Sequence, residues 1–148
     1  MGLLGSIKAS ASGLSAERLR MDTIANNVAN MHTTRTPEGG PYRRQMVTFA
    51  PRTDGFAFLN LFRRSGRQEV ATEGVRVNSI VEDTSPPIRS YQPDHPDADA
   101  EGYVLMPNIN VVTEMTDMIS ANRAYEANVT VLNAAKNMAM KALEIARR

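Results

Sequence analysis

The residues of this chain most able to do chemistry lie in one acidic stretch, residues 94–101, which holds Asp94, His95, Asp97, Asp99 and Glu101. Clustered carboxylates attract hard cations, and a pair of them could act as general acid and base. However, the stretch lacks the turn glycine of an EF-hand, and no second histidine lies near it. The pattern favours a solvated loop, while a small metal-dependent hydrolase built on this stretch is an open alternative.

A second charged region is basic. Residues 35–67 contain seven arginines against two acids. Such a cluster could bind phosphate, but the net charge is only +1 and the pattern of nucleic-acid-binding folds is missing, so no nucleic acid is expected as a partner. We predict instead that Arg43 and Arg44 belong to a polar surface between subunits, which faces the acidic stretch of a neighbouring copy.

Other chemistry is not indicated. The chain has no cysteine, so disulfides, thiol nucleophiles and Cys-based zinc sites are excluded. No Gly-x-Ser-x-Gly motif, P-loop or dinucleotide fingerprint occurs. We therefore expect no enzyme activity, no catalytic residue, no metal, no cofactor and no small-molecule substrate. The first residues lack a basic segment followed by a long apolar run, which predicts no cleavable signal peptide.

The first element that must position these groups is a helix, predicted over residues 3–31. Ile7, Leu14, Met21 and Val28 recur at a spacing of seven and form one apolar stripe. Gly13 weakens the helix interior. Residues 33–41, with two prolines and a Gly-Gly pair, cannot continue a helix. The Asn26–Asn30 motif is expected to turn the chain from this helix into an extended segment and to bond backbone groups there.

Residues 109–146 predict the second helix, with Asn108 or Asn110 as its N-cap. Tyr125 is its large aromatic anchor. Asn122 lies in the core row, where it could fix the register of a helix pair, or bond only its own helix or solvent. The row alternates steps of four and three through Val111, Met115, Met118, Asn122, Tyr125, Val129, Leu132, Lys136, Ala139 and Leu143.

Between the helices the pattern is that of short strands. Residues 46–49, 75–81 and 103–106 predict strands, with Val75, Val77 and Val81 on one face of the second. Residues 56–62 alternate only in part and could be strand or loop. Residues 86–101, with four prolines, predict an irregular excursion.

These elements define an α+β chain in which long terminal helices pair as a coiled coil around a small, irregular, β-rich middle. The expected parts are residues 1–34, 35–107 and 108–148. Helices of about 43 Å and 55 Å are too long to fold back into a small globule, so apolar stripe stays exposed unless other molecules cover it. The sequence therefore predicts a subunit of an assembly.

Several motifs resemble those of one family. Residues 12–21, leading into Ala25-Asn-Asn-Val-Ala-Asn30, are similar to the N-terminal signature of bacterial flagellar axial proteins, the rod, hook and hook-associated proteins. Residues 33–45, 95–98, 102–111 (with Pro107-Asn-Ile-Asn110) and 114–128 resemble the proximal rod members of that family. The resemblance covers both termini and much of the middle, and it is weakest over residues 52–74.

The resemblance implies a structural subunit of the flagellar basal-body proximal rod, located in the periplasmic space. Such subunits are exported by the flagellar type III apparatus and polymerise helically around a central export channel as a torque-transmitting drive shaft. Their paired helices form an inner tube and the middle forms an outer body. The implied partners are further copies of the chain, the rod proteins FlgB, FlgF and FlgG, the adaptor FliE and the membrane ring.

The residues expected at interfaces in such an assembly lie on both helices and on the segments that flank them. They are Ile7, Leu14, Met21, Asn26, Asn27, Val28, Asn30, Tyr42, Arg43, Arg44, Pro107, Asn108, Asn110, Met115, Met118, Asn122, Arg123, Tyr125, Asn128, Val129 and Leu132. The alternative is a soluble coiled-coil adaptor, which would use the same heptads to form a discrete dimer or trimer.

Overall fold

A computed structural model describes residues 3–52 and 74–146 of the chain. Two helices enclose four strands in chain order: α1 (Leu3–Ala29), β1 (Gln45–Pro51), β2 (Val75–Glu82), β3 (Ile88–Tyr91), β4 (Tyr103–Met106) and α2 (Val111–Ala146). The predicted α+β class, with long terminal helices around a small β-containing middle, is confirmed. The segment 56–62, predicted as strand or loop, lies outside the described residues. No helix among the described residues is long and apolar enough to cross a membrane.

The two helices pack side by side and run in opposite directions. Asn27, near the end of α1, donates to Glu114, near the start of α2, with 3.0 Å between Nδ2 and Oε2. Two heptads earlier on α1, Gly13 lies against Asn128, so close that a Cβ at position 13 would be 3.0 Å from the Asn128 amide nitrogen. Gly13 therefore allows a close approach of the two helices, although it weakens α1 as an isolated helix.

The surface between the helices is lined by small and polar side chains. On α2, the inner row at a spacing of seven is Glu114, Ala121, Asn128 and Ala135. The half of the predicted row formed by Val111, Met118, Tyr125, Leu132 and Ala139 is half-buried beside it. In the other half of the predicted row, Val129 is half-buried, but Met115, Asn122, Lys136 and Leu143 are exposed. The prediction that these four residues lie in the core between the two helices was therefore wrong. Small side chains allow close packing of the helices. A prediction from hydrophobic periodicity misses such residues, because it relies on large apolar side chains.

Strands β1 and β2 form an antiparallel two-stranded sheet, here called the ribbon, which packs along α1. Val47 and Val77 are half-buried. The register shifts between Thr48 and Phe49, where β2 carries one extra residue. Because an extra residue reverses the alternation of faces, Val81 pairs with Met46 on the outward face and is 43% exposed. The prediction that Val81 shares the face of Val75 and Val77 was therefore wrong.

Strands β3 and β4 form a second antiparallel pair, here called the hairpin. β3 lies within the excursion predicted to be irregular, so that prediction was wrong for residues 88–91. Three of its four residues are exposed, and Pro86 and Pro87 precede it directly, so no alternating pattern marks it. The rings of Tyr91 and Tyr103 pack edge to face at 5.3 Å, and the Arg89 guanidinium lies 4.6 Å from the Tyr103 ring centre. Val104 of the same hairpin is buried.

Candidate assembly site

Asn27 lies at the centre of a buried polar cluster where α1, β1 and α2 meet, here called the junction. Its Nδ2 donates to the carbonyl oxygen of Gln45 at 2.8 Å and to Glu114 at 3.0 Å. Its Oδ1 accepts from the Gln45 N–H at 2.9 Å and from the Tyr42 hydroxyl at 3.1 Å. The side chain is 1% exposed, and its two donors and two lone pairs are all used.

Glu114 is the charged residue of the junction and is 1% exposed. Arg44 donates from Nε to its Oε1 at 2.6 Å, and a guanidinium nitrogen of Arg44 lies 3.6 Å from Asp117. Arg20 reaches the same Asp117 carboxylate from α1 at 3.7 Å. Because a buried carboxylate is tolerated only when its charge is paired and hydrogen-bonded, Glu114 requires Arg44 and Asn27 together. The first turn of α2 also favours its negative charge.

Tyr42 closes the junction as a neutral donor. Burial raises the pKa of its hydroxyl above the usual 10.0, and the charges of Glu82 and Glu114 raise the pKa further. The phenol therefore stays protonated at physiological pH and keeps its hydrogen bond to Asn27.

The helix ends beside the junction are fixed by other asparagines. Asn110 is the N-cap of α2, because its Oδ1 accepts from the N–H of Val112 at 3.0 Å. At the end of α1, the amide of Asn30 donates to the carbonyl oxygen of Asn26 at 2.9 Å, and its Oδ1 accepts from the Thr33 hydroxyl at 3.1 Å. These bonds satisfy backbone and side-chain groups where the helix gives way to the extended segment.

α2 carries large apolar side chains that α1 does not cover. The exposed ones are Val112, Met115, Ile119, Val131, Met138, Met140, Leu143 and Ile145. Leu143 and Ile145 near the C-terminal end are 71% and 77% exposed. So many exposed apolar side chains on one helix indicate surfaces for contact with other molecules, because single subunits seldom leave large apolar patches in water.

The remaining predicted interface residues are distributed between inner and outer positions. Pro107 is buried, Arg43 is exposed, and Arg44 is half-buried. The half-buried helix residues are Ile7, Leu14, Met21, Val28, Met118, Tyr125, Asn128, Val129 and Leu132, and Asn30 and Tyr42 are also half-buried. The exposed ones are Asn26, Asn108, Asn110, Met115, Asn122 and Arg123. Asn122 donates to Glu126 of its own helix, at 3.2 Å.

Two aspartates of the acidic stretch are bonded within the chain. Asp99 accepts from the N–H groups of Glu101 and Tyr103 and lies 3.4 Å from Arg89. The hydrogen bond from the Tyr103 N–H is the main reason that the pKa of Asp99 lies below its usual value. Asp97 accepts from the Thr34 hydroxyl at 2.7 Å. In the described part of the chain, no three His, Asp or Glu residues are grouped to hold a metal ion.

Arg44, which was predicted to belong to a polar surface between subunits, is paired with Glu114 and Asp117 of its own chain. The neighbouring Arg43 is exposed and remains the predicted surface residue. The role of Glu114 was not foreseen. Its partner Arg44 is 70 residues away in the chain, and no local pattern links the two.

Comparisons with known proteins give the same assignment at both ends of the chain. Residues 7–35 match the family described as flagella basal body rod protein, and residues 100–145 match the family described as flagellar basal body rod FlgEFG protein C-terminal. The first range covers most of α1, and the second covers β4 and nearly all of α2.

Three relatives match along almost the whole chain, and each is named flagellar basal-body rod protein FlgC. The relative from Borreliella burgdorferi is 51% identical over 149 residues, which is 98% of each chain. That of Bacillus subtilis is 47% identical over 146 residues, covering 96% of this chain and 97% of its own. That of Escherichia coli O6:H1 is 38% identical over 145 residues, 98% of each chain.

The helix pair, its uncovered apolar face and these matches define the class of the chain, which is that of structural rod proteins of the flagellar basal body. Within this class, the identity over nearly full length is decisive. The chain belongs to the FlgC family.

Proposed function

We propose that this chain is a subunit of the proximal rod, which polymerises helically with other rod proteins into the torque-transmitting drive shaft around the export channel. The observation that carries the proposal is the set of large apolar side chains of α2 that is left uncovered within the subunit. A helical tube needs contacts between different surfaces that do not close into a ring, and a long helix side with no partner in its own subunit supplies one half of such a contact.

We infer that the three parts of the chain have different places in the rod. Residues 1–34 and 108–148 would form the inner tube through the helix pair, and residues 35–107 would form the outer body. Arg43, Met115, Asn122 and Arg123 are exposed and so available to neighbouring subunits. The half-buried rows of α1 and α2 would contact neighbours only along their outer margins.

The proposed partners are copies of the chain itself, the rod proteins FlgB, FlgF and FlgG, the adaptor FliE and the membrane ring. Delivery to the rod in the periplasmic space would be by the flagellar type III export apparatus. A purely structural role, without enzyme activity, nucleic acid, cofactor or small-molecule substrate, accords with a site built from helix faces and internal hydrogen bonds.

The test is electron microscopy of basal bodies from a strain that lacks this chain, together with a swimming assay. Arrest at the membrane ring, without rod or hook, and rescue by the intact gene would support the proposal. Complete filaments and normal swimming in the deletion strain would overturn it and favour the soluble adaptor.

The neighbours can be identified separately because the chain contains no cysteine. Single cysteines at Met115, Asn122 or Leu143 would each carry a cross-linker in assembled basal bodies. Cross-links to different rod proteins from different positions along α2 are expected. Cross-links that show nothing but a discrete dimer or trimer of this chain would contradict helical assembly.

A further inference from the structure

The ribbon is bonded to α1 at both of its ends. β1 begins at Gln45 and β2 begins at Val75, and the antiparallel register places Gln45 opposite Glu82 and Val75 opposite Pro51. The first residues of the two strands therefore lie at opposite ends of the ribbon. Each of them is bonded by a side chain of α1, Gln45 by Asn27 and Val75 by Ser12.

At the first end, Asn27 bonds both the N–H and the carbonyl oxygen of Gln45, as a neighbouring strand would do. Arg44, which directly precedes Gln45, continues the attachment to α2 through its 2.6 Å bond to Glu114. The bonds at this end involve buried groups, so loss of one partner leaves another unsatisfied.

At the second end, the Ser12 hydroxyl accepts the N–H of Val75 at 3.0 Å and donates to the carbonyl oxygen of Ala9 at 2.7 Å. Gly74 approaches the helix so closely that a Cβ would overlap the Ser12 hydroxyl and lie 3.1 Å from the Ala9 Cα. Its φ of +104° is also unfavourable for any residue with a side chain. Gly74 is therefore required for this contact, both by space and by conformation.

The spacing of the two attachments matches the length of the ribbon. From Ser12 to Asn27 the helix rises about 22 Å, at about 1.5 Å per residue. From Gln45 to Pro51 the strand extends about 20 Å, at about 3.4 Å per residue. Since the two lengths agree, both attachments can form at once without bending either element.

We propose that the ribbon is a brace fixed to α1 at two points, which holds the β-containing middle at a set angle to the helix pair. With one attachment, only the packing of the ribbon along α1 would oppose its pivoting about that point. Two attachments separated by the length of the ribbon remove this motion. Both depend on main-chain atoms of the ribbon, so the angle is set by backbone position.

The test uses the full-length chain with two introduced cysteines that carry spin labels, one on the ribbon (Asn78→Cys) and one on α2 (Asn133→Cys). Both positions are exposed, and the chain has no other cysteine. Pulsed electron paramagnetic resonance then measures the distribution of distances between the two labels. The labelled parent chain is compared with Ser12→Ala and Asn27→Ala, which each remove one attachment.

The matched controls are Ser15→Ala and Asn26→Ala. Ser15 makes the same kind of bond within α1, to Ala11 at 3.2 Å, but on an exposed side, and Asn26 is exposed beside Asn27. Circular dichroism confirms that each variant keeps its helices. Hydrogen exchange at the Val75 amide gives a second measurement, because this amide donates to Ser12.

We expect one narrow distance peak for the parent and both controls, and loss of that peak to a broad distribution for Ser12→Ala and Asn27→Ala. Protection of the Val75 amide should be lost in Ser12→Ala and kept in Ser15→Ala. A broad distribution in the parent, or a narrow one in a folded Ser12→Ala chain, would overturn the brace. Should Asn27→Ala unfold, Ser12→Ala still decides, because it removes only one hydroxyl.

Discussion

The two terminal helices differ in how much of their surface the subunit itself uses. α1 packs against α2 and also against the ribbon, and over residues 5–29 it leaves no large hydrophobic side chain exposed. Among the described helices and strands, α2 packs against α1, and it is also bonded by Arg44 through Glu114 and Asp117. It leaves eight large apolar side chains exposed, from Val112 to Ile145. The first helix is therefore committed to holding the subunit together, and the second is largely available for contacts with other molecules.

The difference shows that amphipathic periodicity has two separate uses in one chain. Small and polar residues, such as Ala121 and Glu114, mediate the packing within the subunit, while large apolar residues, such as Leu143, are exposed. A substitution should then act on folding or on assembly according to the side of the helix on which it lies. The following changes are ordered by their expected effect on the free energy of unfolding.

The largest effect is expected from Arg44→Ala. This change leaves Glu114 buried without its cation, and breaking one side of a buried ion pair typically costs about 3–5 kcal/mol. Urea unfolding followed by circular dichroism measures the loss. The control is Arg43→Ala at the adjacent, exposed position, which should change stability by less than about 0.5 kcal/mol. Equal effects of the two changes would contradict the junction.

A smaller loss is expected from Gly13→Val, which places atoms against Asn128 where the helices are closest. Overpacking of this kind costs about 1–3 kcal/mol. Gly5→Val is the control, since nothing lies within 4 Å of a Cβ at that position. Thermal unfolding of the two variants should differ clearly in midpoint, and coinciding curves would mean that α1 and α2 are not in contact at Gly13.

Acid should act locally on the hairpin. The pKa of Asp99 lies below the usual 3.8 because its carboxylate accepts the Tyr103 N–H. Its contribution to stability is therefore complete above that value and is lost as the pH falls through the lowered pKa. Amide resonances of Glu101 and Tyr103 in NMR spectra should shift with a midpoint below 3.8. The control Asp99→Asn should abolish that transition, and a midpoint above 3.8 would contradict the assignment.

The smallest effect on folding is expected from the double change Leu143→Glu and Ile145→Glu near the C-terminal end of α2. Because both side chains are exposed, the free energy of unfolding should change by no more than about 0.5 kcal/mol. Swimming of a deletion strain should nevertheless not be restored by this variant. Leu132→Glu, at a half-buried position, is the contrasting control and should destabilise the subunit itself. Normal swimming with the double variant would remove the C-terminal end of α2 from the proposed interface.

The sequence predicts the elements of the fold better than their contacts. Both helices and the strands at residues 46–49, 75–81 and 103–106 were predicted, because long heptad patterns and β-branched runs are local signals. β3 was not predicted, since its pairing with β4 depends on residues more than ten positions away. The extra residue in β2 likewise follows from pairing with β1, and it misdirected the expectation for Val81.

The candidate site was predictable only in part. The Asn26–Asn30 motif marked the end of α1 as special, but nothing local indicates that Asn27 bonds Gln45 and Glu114. The prediction of the core row of α2 was half right. The predicted pattern included Met115 and Asn122, whereas the structure buries their smaller neighbours Glu114 and Ala121. Only a three-dimensional arrangement distinguishes a row that faces α1 from one that faces outward.

The way in which α1 contacts the ribbon has a consequence for how the chain can change over evolutionary time. Asn27 bonds the main-chain groups of Gln45, and Ser12 bonds the main-chain N–H of Val75. At each contact, therefore, a specific side chain is needed on α1, while the ribbon contributes main-chain atoms. Substitutions at Gln45 and Val75 other than proline leave these bonds possible, whereas Asn27 and Ser12 have few replacements, so mutational tolerance should be unequal across the same contact.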